Sequence, residues 1–197
     1  MSDVSVSASA DVAASGVDNR KLGVWTFLGS EVVFFSSLIV TYVIMSGRAV
    51  SGPTPGQALS ISLVAANTFV LICSSLTMVS ALASIQKGDQ RGLRLWLLAT
   101  ALLGLAFLAG QGFEFVTLYR QGLTLRSSLF GASFFTLTGF HGGHVAIGVI
   151  AICFVLVRAL TGGVTQSNHL AVELVGLYWH FVDVVWIALF ATIYLLK

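Results

Sequence analysis

Charge is what this sequence has least of. Only 9% of its 197 residues are Asp, Glu, Lys or Arg, against about 25% in a soluble domain. With a hydrophobic fraction of 56% and a mean hydropathy of +0.93, that composition excludes a water-soluble globular domain and describes an integral membrane protein. The net charge of +2 is small and scattered, so no basic nucleic-acid surface is present. Proline is nearly absent: Pro53 and Pro55 share one short connector, and none interrupts an apolar run. The two cysteines, Cys73 and Cys153, fall inside apolar runs and read as small core hydrophobes, not as a disulfide or a metal pair.

What the chain does have is apolar length. Five segments, near 22–46, 58–85, 93–119, 129–159 and 171–196, each reach the ~20 residues that carry a helix across about 30 Å of hydrocarbon. The connectors are short and polar, and the first and fourth contain Gly52, Gly56 and Gly162-Gly163, which are breaks. The stretch 1–21 is rich in Ser and Ala and holds Asp3, Asp11 and Asp18. Lacking the basic start and short apolar core of a signal peptide, it reads as a disordered cytoplasmic tail on an uncleaved chain. The fold class expected is all-α: a membrane bundle of five transmembrane helices formed by residues 22–197. Six cations (Arg20, Lys21, Lys87, Arg91, Arg94, Arg158) against four (Arg48, Arg120, Arg126, Lys197) favour an N-in, C-out orientation.

The polar residues inside the apolar runs must face protein or a wet cavity, because lipid cannot satisfy them. Glu31 lies roughly nine residues, or about 13 Å, into the first helix, among Phe27, Phe34 and Phe35. It is either a proton-handling group or a neutral, hydrogen-bonded acid that fixes packing. Asn67 and the hydroxyls Ser74, Ser75 and Thr77 on the second helix are ordinary glue between helices. Gln111 and Glu114 share a side of the third helix, with Glu114 near its outer end and expected to be solvated. On the fourth, Gly139 and Gly143 make a small-xxx-small pair for close helix approach, flanking His141 and, a turn on, His144. These histidines could bind a metal, ligate haem with His180 opposite, or hydrogen-bond to acids of other helices; with four histidines in the chain, the last is preferred. On the fifth helix Glu173, Gly176, His180 and Asp183 form a stripe at helical spacing, with Trp179 and Trp186 a heptad apart. Glu31, His141 and Asp183 fall at similar depth and are expected to join in one polar seam locking helices one, four and five, with Glu173 and His169 at the inner rim.

Three of these stretches resemble one family. Ser30-Glu31-Val32-Val33-Phe34-Phe35, then Thr138-Gly139-Phe140-His141-Gly142-Gly143-His144-Val145, then Tyr178-Trp179-His180-Phe181-Val182-Asp183-Val184-Val185-Trp186 are similar, in order, to motifs of subunit III of the haem–copper terminal oxidases. The resemblance covers residues 20 to 197 and is strongest to the cytochrome c oxidase type. It implies a non-catalytic subunit with no cofactor of its own: haem and copper reside in partner subunits, subunit I is the main contact, subunit II and further respiratory subunits are neighbours, and phospholipid is bound. It implies the same of the sites: Glu31, His141 and His144 are carried over as structural, lipid-contacting or proton-environment residues. Seven-helix members have two further helices that wall a lipid cleft; this chain resembles their last five, a short form that points to a bacterial plasma membrane. A quinol oxidase subunit III and a nitric-oxide-reductase-associated protein are related alternatives. A membrane cytochrome b or a small proton-coupled transporter would come from other classes, and the transporter would need interrupted helices and an inverted repeat.

Overall fold

The computed structural model describes residues 18–46, 61–126 and 128–195. Five helices account for nearly all of them: α1 (Asn19–Ser46), α2 (Ile61–Gln86), α3 (Gln90–Arg120), α4 (Leu129–Leu160) and α5 (Leu170–Phe190), the last continuing into a π-helical turn, Ala191–Leu195. Each of the five spans is long and apolar enough to cross a membrane. A helix satisfies its own backbone polar groups, which is what a hydrocarbon surrounding demands. α1 begins at Asn19, so Arg20 and Lys21 belong to a helix and not to a tail; residues 1–17 and the Pro53–Pro55 connector lie outside the described residues. α3 begins at Gln90, where the Asp89 side chain accepts hydrogen bonds from the Arg91 and Gly92 amides at 3.0 Å each, closing two of the helix's free N–H groups. The turn before it depends on Gly88, whose φ of 80° suits a residue without Cβ.

Helices α2, α3, α4 and α5 form a closed ring of neighbours, while α1 packs outside it against α4 and α5. α1 buries only Leu28, Phe35 and Tyr42 as core hydrophobics, a single seven-residue stripe of the kind that pairs helices at shallow angles. The ring is closed by two tryptophans of α5. Trp179 donates its indole N–H to Ser74 Oγ at 3.0 Å, and Trp186 to Thr68 Oγ1 at 2.9 Å, so both reach α2. The Trp179 ring also lies across Gly104 of α3 and Gly148 of α4, whose absent Cβ atoms would come within 2.7 and 2.8 Å of it. Small residues here let backbones and one large ring share the interior, the usual way membrane helices gain packing when apolarity alone does not separate inside from outside.

Gly139 and Gly143 do not play that part. A Cβ added at either meets nothing within 4 Å; they face out of the ring. Gly142, between them, is the close-packed one, with Gln111 Oε1 2.8 Å from its Cβ position. The cysteines also depart from expectation: Cys153 is exposed on the outer side of α4 and Cys73 only partly buried.

On one rim the turns are knitted together. Gln166 donates to the Gln86 carbonyl (2.7 Å), Gln90 to that of Val164 (3.0 Å) and Arg94 to that of Ala159 (3.2 Å). These bonds hold the α2–α3 and α4–α5 connections as one surface.

Candidate functional site

Glu31 sits on the α1 stripe between Leu28 and Phe35, so its side chain turns toward α4. There its Oε2 lies 3.1 Å from Nε2 of His144, with both side chains about one-sixth exposed (16% and 17%). The other ring nitrogen of His144 is 2.7 Å from the Phe140 carbonyl oxygen. Tyr178 of α5 donates to the His144 carbonyl at 3.0 Å, and Phe35 meets the imidazole edge-on at 4.9 Å. Beside the pair runs an apolar groove of about 340 Å³ between α1, α4 and α5, lined by Val24, Phe27, His144, Ile147 and Tyr178 among others.

The single seam expected of Glu31, His141 and Asp183 does not form. Glu31 takes His144, whereas His141 is fully buried, stacked on Trp186 at 4.8 Å and edge-on to Phe107 at 5.9 Å. Among the described residues, neither ring nitrogen of His141 and neither oxygen of Asp183 has a hydrogen-bond partner. His180 turns from α4 to α2, its Nδ1 2.6 Å from Ser75 Oγ; Ser75 also neighbours Asp183. His141 and His180 thus face different surroundings, the first aromatic and the second a hydroxyl. The reason is helical rotation: at about 100° per residue, His144 lies some 60° around α4 from His141, enough to move from the ring interior to the α1 side.

A further pair was hidden from sequence reasoning. Glu114 is buried at 7% exposure, not solvated, and the Tyr194 hydroxyl donates between its two oxygens at 3.1 and 3.2 Å. Tyr194 belongs to the π-helical turn after α5, and nothing in its sequence surroundings announces that turn. Gln111, one turn before Glu114, donates to the Thr138 carbonyl at 2.7 Å, and Asn67 to that of Phe107 at 3.0 Å. Most interior polar groups thus bridge two helices of this chain.

At the knitted rim, Lys21 pairs with Glu173 at 2.6 Å and His169 with the same carboxylate at 3.2 Å. The lysine side chain is 44% exposed, and solvated ion pairs add little to stability. Lys21→Gln is accordingly expected to leave the thermal unfolding midpoint of the purified protein within experimental error of wild type; a drop of several degrees would show that this pair anchors α1.

Among the described residues no three His, Cys, Asp or Glu side chains come together as a metal site would require. The fold and its polar interior define a multi-pass helical membrane protein whose buried polar groups serve mainly to join helices. Residues 5–197 match the family model described as Cytochrome c oxidase subunit III. The chain belongs to that family, and is a subunit III of the haem–copper oxidases, part of an oxidoreductase complex. It is 38% identical over 175 residues to quinol oxidase subunit 3 of Bacillus subtilis, covering 89% of this chain and 86% of that protein. It is 40% identical over 177 residues to the probable cytochrome c oxidase subunit 3 of Nocardia farcinica (89% and 87%), and 41% identical over 179 residues to that of Mycobacterium tuberculosis (89% and 87%).

Proposed function

We propose that this chain is the accessory, non-catalytic subunit of a cytochrome c oxidase that reduces oxygen to water and pumps protons in a bacterial plasma membrane. In this reading subunit I, which carries haem and copper, is its main contact, subunit II is close by, and phospholipid occupies the groove beside Glu31. The observation that carries it is the direction of the polar groups. Glu31, Glu114, Gln111, Asn67 and His180 each engage another helix of the same chain, while large apolar side chains such as Phe69, Leu76, Ile150 and Phe154 stay 64–69% exposed on the outside. An interior built to hold itself together, with an apolar exterior offered to neighbours and lipid, is the design of a packing subunit. The N-in, C-out orientation rests on the cations of the knitted rim. Gentle solubilisation followed by identification of the co-purifying chains tests the reading. A large haem-bearing partner is expected; its absence, or stoichiometric haem on the isolated chain, overturns it.

One relative named for quinol oxidation is nearly as similar as those named for cytochrome c, so a quinol-oxidising partner is the second reading. A substrate assay of the purified complex separates the two.

If Glu31 serves packing and lipid contact, Glu31→Ala leaves the initial oxygen-reduction rate near wild type, since no electron crosses this chain, and activity fades during sustained turnover. An immediate and complete loss on assembled enzyme would mark the residue as catalytic instead.

A further inference from the structure

His180 has two ring nitrogens, and the chain uses one of them. Nδ1 lies 2.6 Å from Ser75 Oγ on α2. The Ser75 hydroxyl has a single hydrogen, and among the described residues Nδ1 is its acceptor; Asp183, its other neighbour, forms no hydrogen bond. Ser75 therefore donates, Nδ1 accepts, and in the neutral ring that hydrocarbon favours Nε2 carries the hydrogen. That N–H has no partner among the described residues, yet Nε2 is not one of the buried unpartnered atoms, as both nitrogens of His141 are. The ring is only partly buried, so the N–H opens on the outside of the seam between α2 and α5. It does so about ten residues, or about 15 Å, into α5, near the middle of ~30 Å of hydrocarbon.

The side chains around it are apolar. On α5, Val184 and Ile187 follow His180 at one-turn and two-turn spacing. On α2, Ile72, Leu76 and Val79 repeat that spacing beside Ser75, and all five are exposed. Toward the rim the face ends at the Lys21–Glu173 pair, two turns before His180. Lipid tails hold no acceptor, phospholipid ester carbonyls lie at the bilayer surface, and water is excluded at this depth, so protein must satisfy the N–H. A second copy of this chain does not fit, because a two-fold contact would set the same donor and the same five apolar side chains against themselves. We propose that the α2–α5 face around His180 is a docking surface for a transmembrane helix of a different subunit, which offers an acceptor oxygen to the Nε2–H. That oxygen belongs to a Ser, Thr, Asn or Gln side chain or to a backbone carbonyl freed by a kink. The different subunit rests on the oxidase complex proposed above; the face and the required acceptor follow from this chain alone. The imidazole sets the depth and rotation of the incoming helix, and the apolar side chains beside it supply the packing.

Photo-cross-linking in the intact complex tests the face. With benzoylphenylalanine replacing Leu76 or Val184, illumination of native membranes is expected to join this chain to another oxidase subunit. A haem-bearing complex that co-purifies but yields from both positions only lipid adducts, or adducts with a second copy of this chain, overturns the docking surface and leaves the oxidase reading standing. A chain that purifies without any partner overturns both. Two substitutions then test the imidazole. His180→Phe and Ser75→Ala both remove the bond inside the chain, but only His180→Phe removes the outward N–H. His180→Phe is expected to lower retention of this chain in the solubilised complex about tenfold, the value of one hydrogen bond buried at an interface, while Ser75→Ala stays near wild type. Equal losses in the two variants, full retention in both, or a loss confined to Ser75→Ala would show that no partner reads the N–H. The cross-links, made with His180 in place, do not depend on how well His180→Phe folds.

Discussion

Gly148→Ala is expected to destabilise the folded bundle by about 1–3 kcal/mol, the usual cost of forcing a methyl group into a well-packed core, and Gly104→Ala by a similar amount. The added Cβ at 148 would stand 2.8 Å from two carbons of the Trp179 ring, and that at 104 would stand 2.7 Å from the same ring and 2.8 Å from Val149. The ring has no room to retreat, since Trp179 is fully buried and its N–H is tied to Ser74. Gly139→Ala and Gly143→Ala, on the open side of the same helix, should leave the isolated chain's stability unchanged. Thermal unfolding of the four variants in one detergent makes the comparison. Trp179→Phe alone would lose both volume and the Ser74 bond. Combined with Gly148→Ala it should cost less than the sum of the two, because the smaller ring gives way where the methyl group enters. Equal effects at 143 and 148, or strict additivity with Trp179→Phe, would contradict this picture of the interior.

Tyr194→Phe is expected to cost about 1–3 kcal/mol, the range for leaving a buried polar group without its partner. Among the described residues the Tyr194 hydroxyl reaches both oxygens of Glu114, and the carboxyl group is buried. Removing both members should be milder than removing one: Tyr194→Phe with Glu114→Leu leaves an apolar contact of similar shape, and most of the lost stability should return. Hydrogen exchange at the end of α5 offers an independent reading, with faster exchange through the π-helical turn in Tyr194→Phe and recovery in the double variant. If the double variant were the least stable of the three, the pair would be contributing more than mutual satisfaction.

Much of this molecule is legible in its sequence. The five spans follow from hydropathy because a bilayer imposes one length and one composition on every helix that crosses it. The family motifs around Glu31, His144 and His180 lie on the helices assigned to them. Trp179 and Trp186 do share a side, as their heptad spacing implies. What could not be read was which polar group meets which. His141 and His144, or Gly139 and Gly142, are so close in sequence that either could face the ring; only the rotation of α4 against α1, α3 and α5 chooses between them. Glu114 looked solvated because it lies near a helix end, and its burial depends on Tyr194, 80 residues away.

The sequence by itself therefore determined the number of helices, their composition and their kinship, all of which depend on local apolar length and short motifs. The tertiary structure alone decided that Glu31 takes His144, that Trp179 closes the ring over two glycines, and that Gly139 and Gly143 face outward. Those choices rest on small rotations between packed helices, where some 60° about one axis exchanges one neighbour for another.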